Sequence, residues 1–424
     1  MNDQSPSSGR HPFPRGGRDW EDLRGDMIAR TRNDVDWRAG RTPLYVFFND
    51  EDTYRVGRDA YFEFFSENAL GSKRAFRSIL SMETEVLDYG LNLFNAPESA
   101  GGAFTTGGSE SIFVAMKSAR DAFRARTGTQ RGEILNIVMP DSAHPAFDKA
   151  AAAMDLDIRR APLRADMRVD TAALAEMIDA RTMAIVGSAP CFPHGVVDPI
   201  EELSDIALKA GVWLHVDACV GGWLAPFFTK NGRDTPPFDF RYAGVRSLSA
   251  DLHKFGFCPK AASTVFFRDA EDLTRSRFRH DAWPSGVIDT ATLAGTRTGG
   301  SVASAWAVLN HLGEAGYLDV ARRLAEMTDA YVAGITAIEG LKMHAKPDLT
   351  LINYGSDALD IFAVAERLTE RGWLAGLTSR PRGLHAMMSM LHAPAREQFL
   401  SDLEDCVDEV RETQPAGSRL KAVY

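Results

Sequence analysis

Through the middle of this chain, short β-branched and aliphatic runs alternate with helical patterns, and that alternation limits the fold more than any other feature. EILNIVMP precedes AHPAFDKAAAAM, MAIVGSAP precedes DPIEELSDIALKAG, and VWLHVDA leads through a longer connection to RSLSADLHKFG and STVFFRD. Strands separated by helices imply an α/β fold with a mostly parallel sheet and helices on both faces. In such sheets ligands gather beyond the carboxyl ends of the strands, so the residues that follow each run are the ones to inspect.

The alternation has clear ends. Residues 1–17, MNDQSPSSGRHPFPRGG, hold too little apolar surface to offset the entropy of ordering, and a disordered tail is expected there. Residues 18–90 are aromatic and charged by turns (LYVFFND, YFEFF), which predicts an arm packed on something larger, a second subunit included. Residues 91–308 form the large domain of the alternating pattern. From 309 to 424, long helical stretches and the short strands LTLINYG and LHAMMSML predict a small α+β domain.

A net charge of -10 leaves no basic footprint for nucleic acid or an anionic membrane surface, so small molecules are the expected ligands. No run reaches the roughly 18 apolar residues of a membrane span. The start lacks the apolar core of a secretion signal. Cys191, Cys219, Cys258 and Cys406 include no CxxC pair, which argues against a zinc site or a disulfide framework and for a reducing, cytoplasmic setting.

Four segments carry candidate chemistry. In FTTGGSESIFVAMKSAR a helix starts on the glycine turn of Gly107 and Gly108, where amide N–H groups and the helix dipole favour an anion beside Ser109. A plain helix capped by Ser109 would read the same way. VWLHVDACVGG places Asp217 at the end of an apolar strand, where a carboxylate needs a cation or hydrogen bonds, with Cys219 on the same side. An Asp that only caps the next loop is the alternative. SLSADLHKFGF sets His253 and Lys254 past a short strand; a lysine amine is a nucleophile towards aldehydes once its pKa is lowered, although most lysines are simply solvated. DSAHPAFDKAA holds His144 between a strand and a helix, a place from which a ring can stack on a planar ligand or merely bond to backbone.

Taken in order, FTTGGSESI, SAHPAFDKAA, PHGVVDPI, HVDACVGG, FDFRYAGVRSLSADLHKFGF and AGTRTGG resemble the sphingosine-1-phosphate lyase-like family of pyridoxal-phosphate enzymes, which is related to the group II amino-acid decarboxylases. The resemblance runs from about Asn92 to Ala393. It implies an aspartate-aminotransferase-like fold (fold type I) and pyridoxal 5'-phosphate as cofactor. By the same resemblance Lys254 is the Schiff-base lysine, Asp217 the partner of the pyridine nitrogen, and His144 the stacking ring. Gly108, Ser109 and His253 hold the phosphate, with Thr296 reaching it from the neighbouring subunit of a homodimer. Lys260 matches a second lysine that assists proton transfer.

The cofactor half of the pattern is kept and the substrate half is altered. Where the family has NPLHPDIFPG, this chain reads ENALGSKRAF; an arm tyrosine falls near Phe47, with Tyr45 close by. A Tyr-Ala-Ser-Pro segment becomes Ile288, Asp289, Thr290 and Ala291, and the membrane helix of eukaryotic members is missing. With this cofactor the bond at Cα that stands perpendicular to the ring is the one broken, so substrate orientation chooses the reaction. The expectation is a carbon–carbon lyase of retro-aldol type acting on a β-hydroxy amine or amino acid, with decarboxylation as the alternative. The altered segments point to a substrate smaller or more polar than a phosphorylated long-chain sphingoid base.

Overall fold

A computed structural model describes residues 9–11, 13–413, 417–418 and 420–422. Of the expected disordered tail, residues 1–8 and 12 lie outside the described residues. Three helices open the chain: α1 (Trp20–Arg30), α2 (Glu51–Glu63) and α3 (Arg77–Leu93). Helix α2 starts on Asp50, whose carboxylate accepts from the Thr53 amide at 2.8 Å and satisfies one orphan donor of the first turn. α1 buries none of its residues, so nothing within the described chain explains its apolar Trp20, Met27 and Ile28.

The large sheet follows. Its strands are β1 (Gly101–Thr105), β2 (Leu135–Pro140), β3 (Leu156–Ala161), β4 (Thr182–Ser188), β5 (Trp213–Asp217), β6 (Val245–Ala250) and β7 (Ser263–Phe267). The helices between them are α4 (Gly108–Thr127), α5 (Ala146–Met154), α6 (Thr171–Glu176), α7 (Ile200–Ala210) and α8 (Ala225–Lys230). The strand order is β1-β7-β6-β5-β4-β2-β3. β7 pairs antiparallel with both β6 and β1, while the pairs from β6 to β3 are parallel. The expected mostly parallel α/β sheet is therefore present. β2, β4 and β5 are buried along their whole length, as strands covered by helices on both faces must be.

Alternation of side chains splits the core in two. Leu214, Val216, Leu248 and Phe266 enter one cluster, while Trp213, Val265 and Phe267 meet Ile112, Met116 and Phe147 from α4 and α5 on the opposite face. His215 and Asp217 share the face of Trp213, so the polar residues of β5 point towards α4 and α5. Helices α4 and α7 stop at Gly128 and Gly211, each in the left-handed conformation that closes a helix without a Cβ clash. These stops return the chain to the sheet, and all five parallel strands end at one edge.

Beyond β7 come α9 (Ala270–Ser276), an exposed hairpin of β8 (Phe278–Trp283) and β9 (Gly286–Thr290), and α10 (Gly299–Ala337), which is interrupted at Gly313 (φ 54°, ψ -174°). α10 runs across residue 308, where the sequence suggests a domain boundary. The C-terminal part has β10 (Lys342–Met343), β11 (Leu351–Gly355), α11 (Ile361–Glu370), β12 (Gly376–Ser379), β13 (Arg382–Met387) and α12 (His392–Thr413), with an antiparallel sheet in the order β10-β11-β13-β12. The N-terminal arm is bound to this part: Leu374, Met387 and Met390 donate their amides to the carbonyls of Arg41, Pro43 and Phe48 at 2.9, 2.9 and 3.1 Å. Gly40 turns the chain into that contact at φ 70°, and a Cβ there would stand 2.6 Å from the Leu391 carbonyl oxygen. No helix among the described residues is long and apolar enough to cross a membrane.

Candidate active site

The carboxyl ends of the strands open on a cavity of about 360 Å³. It is lined by Gly107, Gly108, Ser109, His144, Phe192, Asp217, Cys219, Asp251, His253 and Lys254. They arrive from several strand ends. β1 delivers the glycine turn, the loop after β2 delivers His144, β5 ends on Asp217, and β6 leads into Asp251, His253 and Lys254.

Lys254 Nζ lies 3.0 Å from Asp251 Oδ2. Burial pulls the ammonium down, but the carboxylates of Asp251 and Asp217 with Cys219 outweigh it, and the net pKa is raised. The sequence reading asked for a lowered value; in this protein the carboxylates decide. Asp251, three residues before Lys254, was part of a plain polar stretch in the sequence and is the main residue that reading missed. Its carboxyl is buried and resists ionisation for that reason, yet Lys254, His253 and a hydrogen bond from Ser263 Oγ (2.5 Å) hold the net pKa below the usual range. The i, i+3 spacing of an acid and a lysine in SADLHK was the available signal.

Asp217 is buried at the end of β5 and accepts from the Cys219 amide at 3.1 Å and from Ser249 Oγ at 3.4 Å. Among the described residues no cation lies within ion-pair distance of it. Cys219 Sγ sits 3.3 Å from Ser249 Oγ; burial and the nearby carboxylates push the thiol well above its usual range, so it stays un-ionised. His144 Nδ1 accepts from the Ala146 amide at 3.1 Å, and burial lowers its pKa, leaving a neutral ring on the cavity wall. His253 is lowered by burial too, against the pull of Asp251 at 3.7 Å.

The N-cap of α4 is Gly107, so Ser109 lies inside the first turn and its hydroxyl is not the cap. Glu110, a second residue the sequence reading passed over, holds the turn before the helix instead. Its carboxylate accepts from the Thr106 amide and hydroxyl, both at 2.7 Å, and from the Ala294 amide at 2.7 Å, tying the glycine turn to the AGTRTGG loop.

The remaining sequence candidates lie outside the cavity lining. Thr296 Oγ1 accepts from Asn68 Nδ2 at 3.3 Å, and Gly299 N donates to the Glu67 carbonyl at 2.7 Å, so the altered ENALGSKRAF segment packs against the AGTRTGG loop. Lys260 Nζ reaches the His253 carbonyl at 3.4 Å and lies over the Phe47 ring, whose other contact is Phe255. One side of the Lys260 chain faces solvent, but the packed side and nearby Lys254 lower its pKa. Tyr45 is half exposed at φ 72°. Asp289 sits on β9, paired with Arg277 at 2.9 Å, and this pairing lowers its pKa.

Residues 73–355 match the family described as pyridoxal-dependent decarboxylase conserved domain. The sphingosine-1-phosphate lyase of Arabidopsis thaliana is 40% identical over 407 residues, which cover 94% of this chain and 74% of that protein. Sphingosine-1-phosphate lyase 1 of Mus musculus is 34% identical, with coverage of 92% and 69%. The solved sphingosine-1-phosphate lyase of Burkholderia pseudomallei superposes with a TM-score of 0.90 at 35% identity over 96% of this chain and 94% of that one. Glutamate decarboxylase of Lactobacillus brevis shares the fold, with a TM-score of 0.83 at 18% identity over 95% of each chain.

Fold and crevice thus define a pyridoxal-phosphate enzyme of fold type I. The chain belongs to the sphingosine-1-phosphate lyase-like family of these enzymes, and it is a pyridoxal-phosphate-dependent lyase. The residues present fit the cofactor. Asp217 lacks a cation that a protonated ring nitrogen would supply, and His253 Nδ1 is buried without a hydrogen-bond partner beside the glycine turn. A Cβ on Gly108 would fall 2.7 Å from Cys219 Sγ and 3.0 Å from Asp251 Oδ1, so only glycine leaves this corner open.

Proposed function

We propose that this lyase cleaves the Cα–Cβ bond of a β-hydroxy amine, releasing an aldehyde, with a phosphorylated sphingoid-base-like compound or a shorter, more polar analogue as substrate. The observation that carries the reading is the Lys254–Asp251 pair, which lines one cavity together with Asp217 and His144. When bound, the cofactor supplies an electron sink for the bond broken at Cα. Lys254 provides the amine that joins its aldehyde, Asp217 faces its ring nitrogen, and His144 packs on the ring. Gly108, Ser109 and His253 hold its phosphate, helped by the first amides of α4. Lys260, with its lowered pKa, is suited to take the proton of a β-hydroxyl, and its amine is placed over the Phe47 ring.

Amino-acid decarboxylation is the second reading. A relative from Methanothermobacter thermautotrophicus, described as a probable L-tyrosine/L-aspartate decarboxylase, is 33% identical over 353 residues and supports it. The homodimer belongs to the proposal as well: α1 has no buried residue, Phe62, Phe65, Trp283 and Val287 are exposed, and Thr296 is proposed to reach the neighbour's phosphate site. A cytoplasmic setting is supported by four unpaired cysteines, all buried.

The test is to supply sphingosine-1-phosphate, short-chain β-hydroxy amines and amino acids to the holoenzyme and to follow both aldehyde and carbon dioxide. Aldehyde from a β-hydroxy amine is the expected result; carbon dioxide from an amino acid without aldehyde would replace the proposal with the second reading.

A further inference from the structure

One face of β5 and β6 carries a file of polar side chains that the chemistry above leaves unused. Trp213, His215 and Asp217 alternate along β5, and Ser247 and Ser249 stand opposite them in the register His215 to Ser247 and Asp217 to Ser249. Trp213 Nε1 reaches Ser247 Oγ at 2.7 Å, Ser247 Oγ reaches His215 Nδ1 at 2.8 Å, His215 Nε2 reaches Ser249 Oγ at 3.3 Å, and Ser249 Oγ reaches Asp217 Oδ1 at 3.4 Å. Every member is buried, and Phe147 seals the His215 ring at 5.8 Å.

The direction of each hydrogen in this file follows from its two ends. An indole can only donate, and an ionised carboxylate can only accept. Ser247 therefore receives from Trp213, and its own hydrogen goes to the acceptor beside it, His215 Nδ1. A neutral imidazole has one donor and one acceptor, so Nε2 carries the hydrogen and donates to Ser249, whose hydroxyl donates to Asp217. Burial holds His215 neutral, with its pKa lowered to about 4 although Asp217 pulls the other way.

We infer that His215 is a positioning residue: held in its Nε2-protonated form, it acts through Ser249 to keep the Asp217 carboxylate turned towards the ring nitrogen of the cofactor. The inference rests on the proposed role of Asp217, but the hydrogen positions can be read independently of it. Aligned donors in a low-dielectric interior polarise one another, so the Ser249 hydroxyl at the end of the file holds the Asp217 carboxylate more firmly than an isolated hydroxyl would.

Neutron diffraction from deuterated holoenzyme crystals would show deuterium on His215 Nε2 and none on Nδ1; deuterium on Nδ1, or on both nitrogens, overturns the assignment. In solution, His215→Leu should lower kcat by about tenfold or more and shift the absorption band of the bound cofactor, with KM changed by less than about twofold. His215→Gln places an amide near the Nε2 position and should recover part of kcat and the band. His215→Asn places one near Nδ1 and should recover neither. Equal behaviour of Gln and Asn, or an unaffected Leu variant, would refute the relay. If the Leu variant does not fold, the deuterium positions in the wild type still decide. Failure of the lyase reading itself shows separately, as a product other than aldehyde with the hydrogen order intact.

Discussion

The crevice at the strand ends and the β8–β9 hairpin are built on opposite terms. In the crevice, Asp251 and Asp217 are buried and accept hydrogen bonds from Ser263 and Ser249, and the largely covered Lys254 pairs with Asp251. In the hairpin no residue is buried, Phe278, Trp283 and Val287 face outwards, and Asp289 pairs with Arg277 at the surface. A buried carboxylate must find partners within its own chain, whereas exposed apolar residues can leave theirs to another. The difference separates a crevice whose carboxylates are hydrogen-bonded by this chain from a hairpin whose apolar side chains are left uncovered among the described residues.

The largest expected effect lies in the crevice. Lys254→Ala should abolish the borohydride-fixable adduct and lower kcat by more than about a thousandfold; an adduct that persists would place the joining amine elsewhere. Asp217→Asn should retain bound cofactor and lose about a hundredfold to a thousandfold in kcat, because an amide cannot pair with a cation. Near-normal turnover of this variant would break the contrast at its centre.

Acid gives an intermediate effect. Burial lowers His194, His215 and His385 to about 4, so the folded protein refuses a proton that the unfolded chain accepts near 6.5. The stability these rings contribute is present above about pH 6.5 and is lost as pH falls towards 4, up to roughly 3 kcal/mol for each. Denaturant midpoints measured across that window should fall with pH, and His385→Phe should flatten the slope. An unchanged slope in the variant would show that His385 is not held neutral.

The smallest effect belongs to the hairpin. Asp289→Ala should change stability by less than about 0.5 kcal/mol, since an exposed ion pair is screened by water. The cofactor spectrum should not move. A steady-state comparison of sphingosine-1-phosphate with short β-hydroxy amines, in wild type and variant, then shows whether the hairpin selects substrate. Efficient cleavage of the long-chain phosphate, equal in both, would remove Asp289 and the altered entrance from the account of specificity.

What was legible in the sequence followed burial. β2, β4 and β5 are uniform apolar runs, and they stood out because strands covered on both faces must be. β1 is GGAFT and β3 is LDIRRA, the two ends of the sheet, where glycine and exposed charge hide a strand from any apolar pattern. Asp217 was visible because a carboxylate is out of place in VWLHVDA; Asp251 and Glu110 were not, because each stands in a polar context and shows its purpose only when Lys254 or Ala294 is brought beside it. The hairpin gave no signal, having two residues of turn and no buried face.

The arm's attachment to the C-terminal sheet has a consequence for how the chain comes together. Residues 41–48 supply carbonyls to Leu374, Met387 and Met390, and the Thr42 carbonyl lies 2.9 Å from His392 Nε2, so the last unit of the chain is finished by one of the first segments made. Synthesis therefore releases the arm long before the amides that donate to it exist. The same arm places Phe47 on Phe255 and under the Lys260 amine. Closing so long a loop is costly in chain entropy and slow, which places the ordering of Lys260 among the late events of maturation.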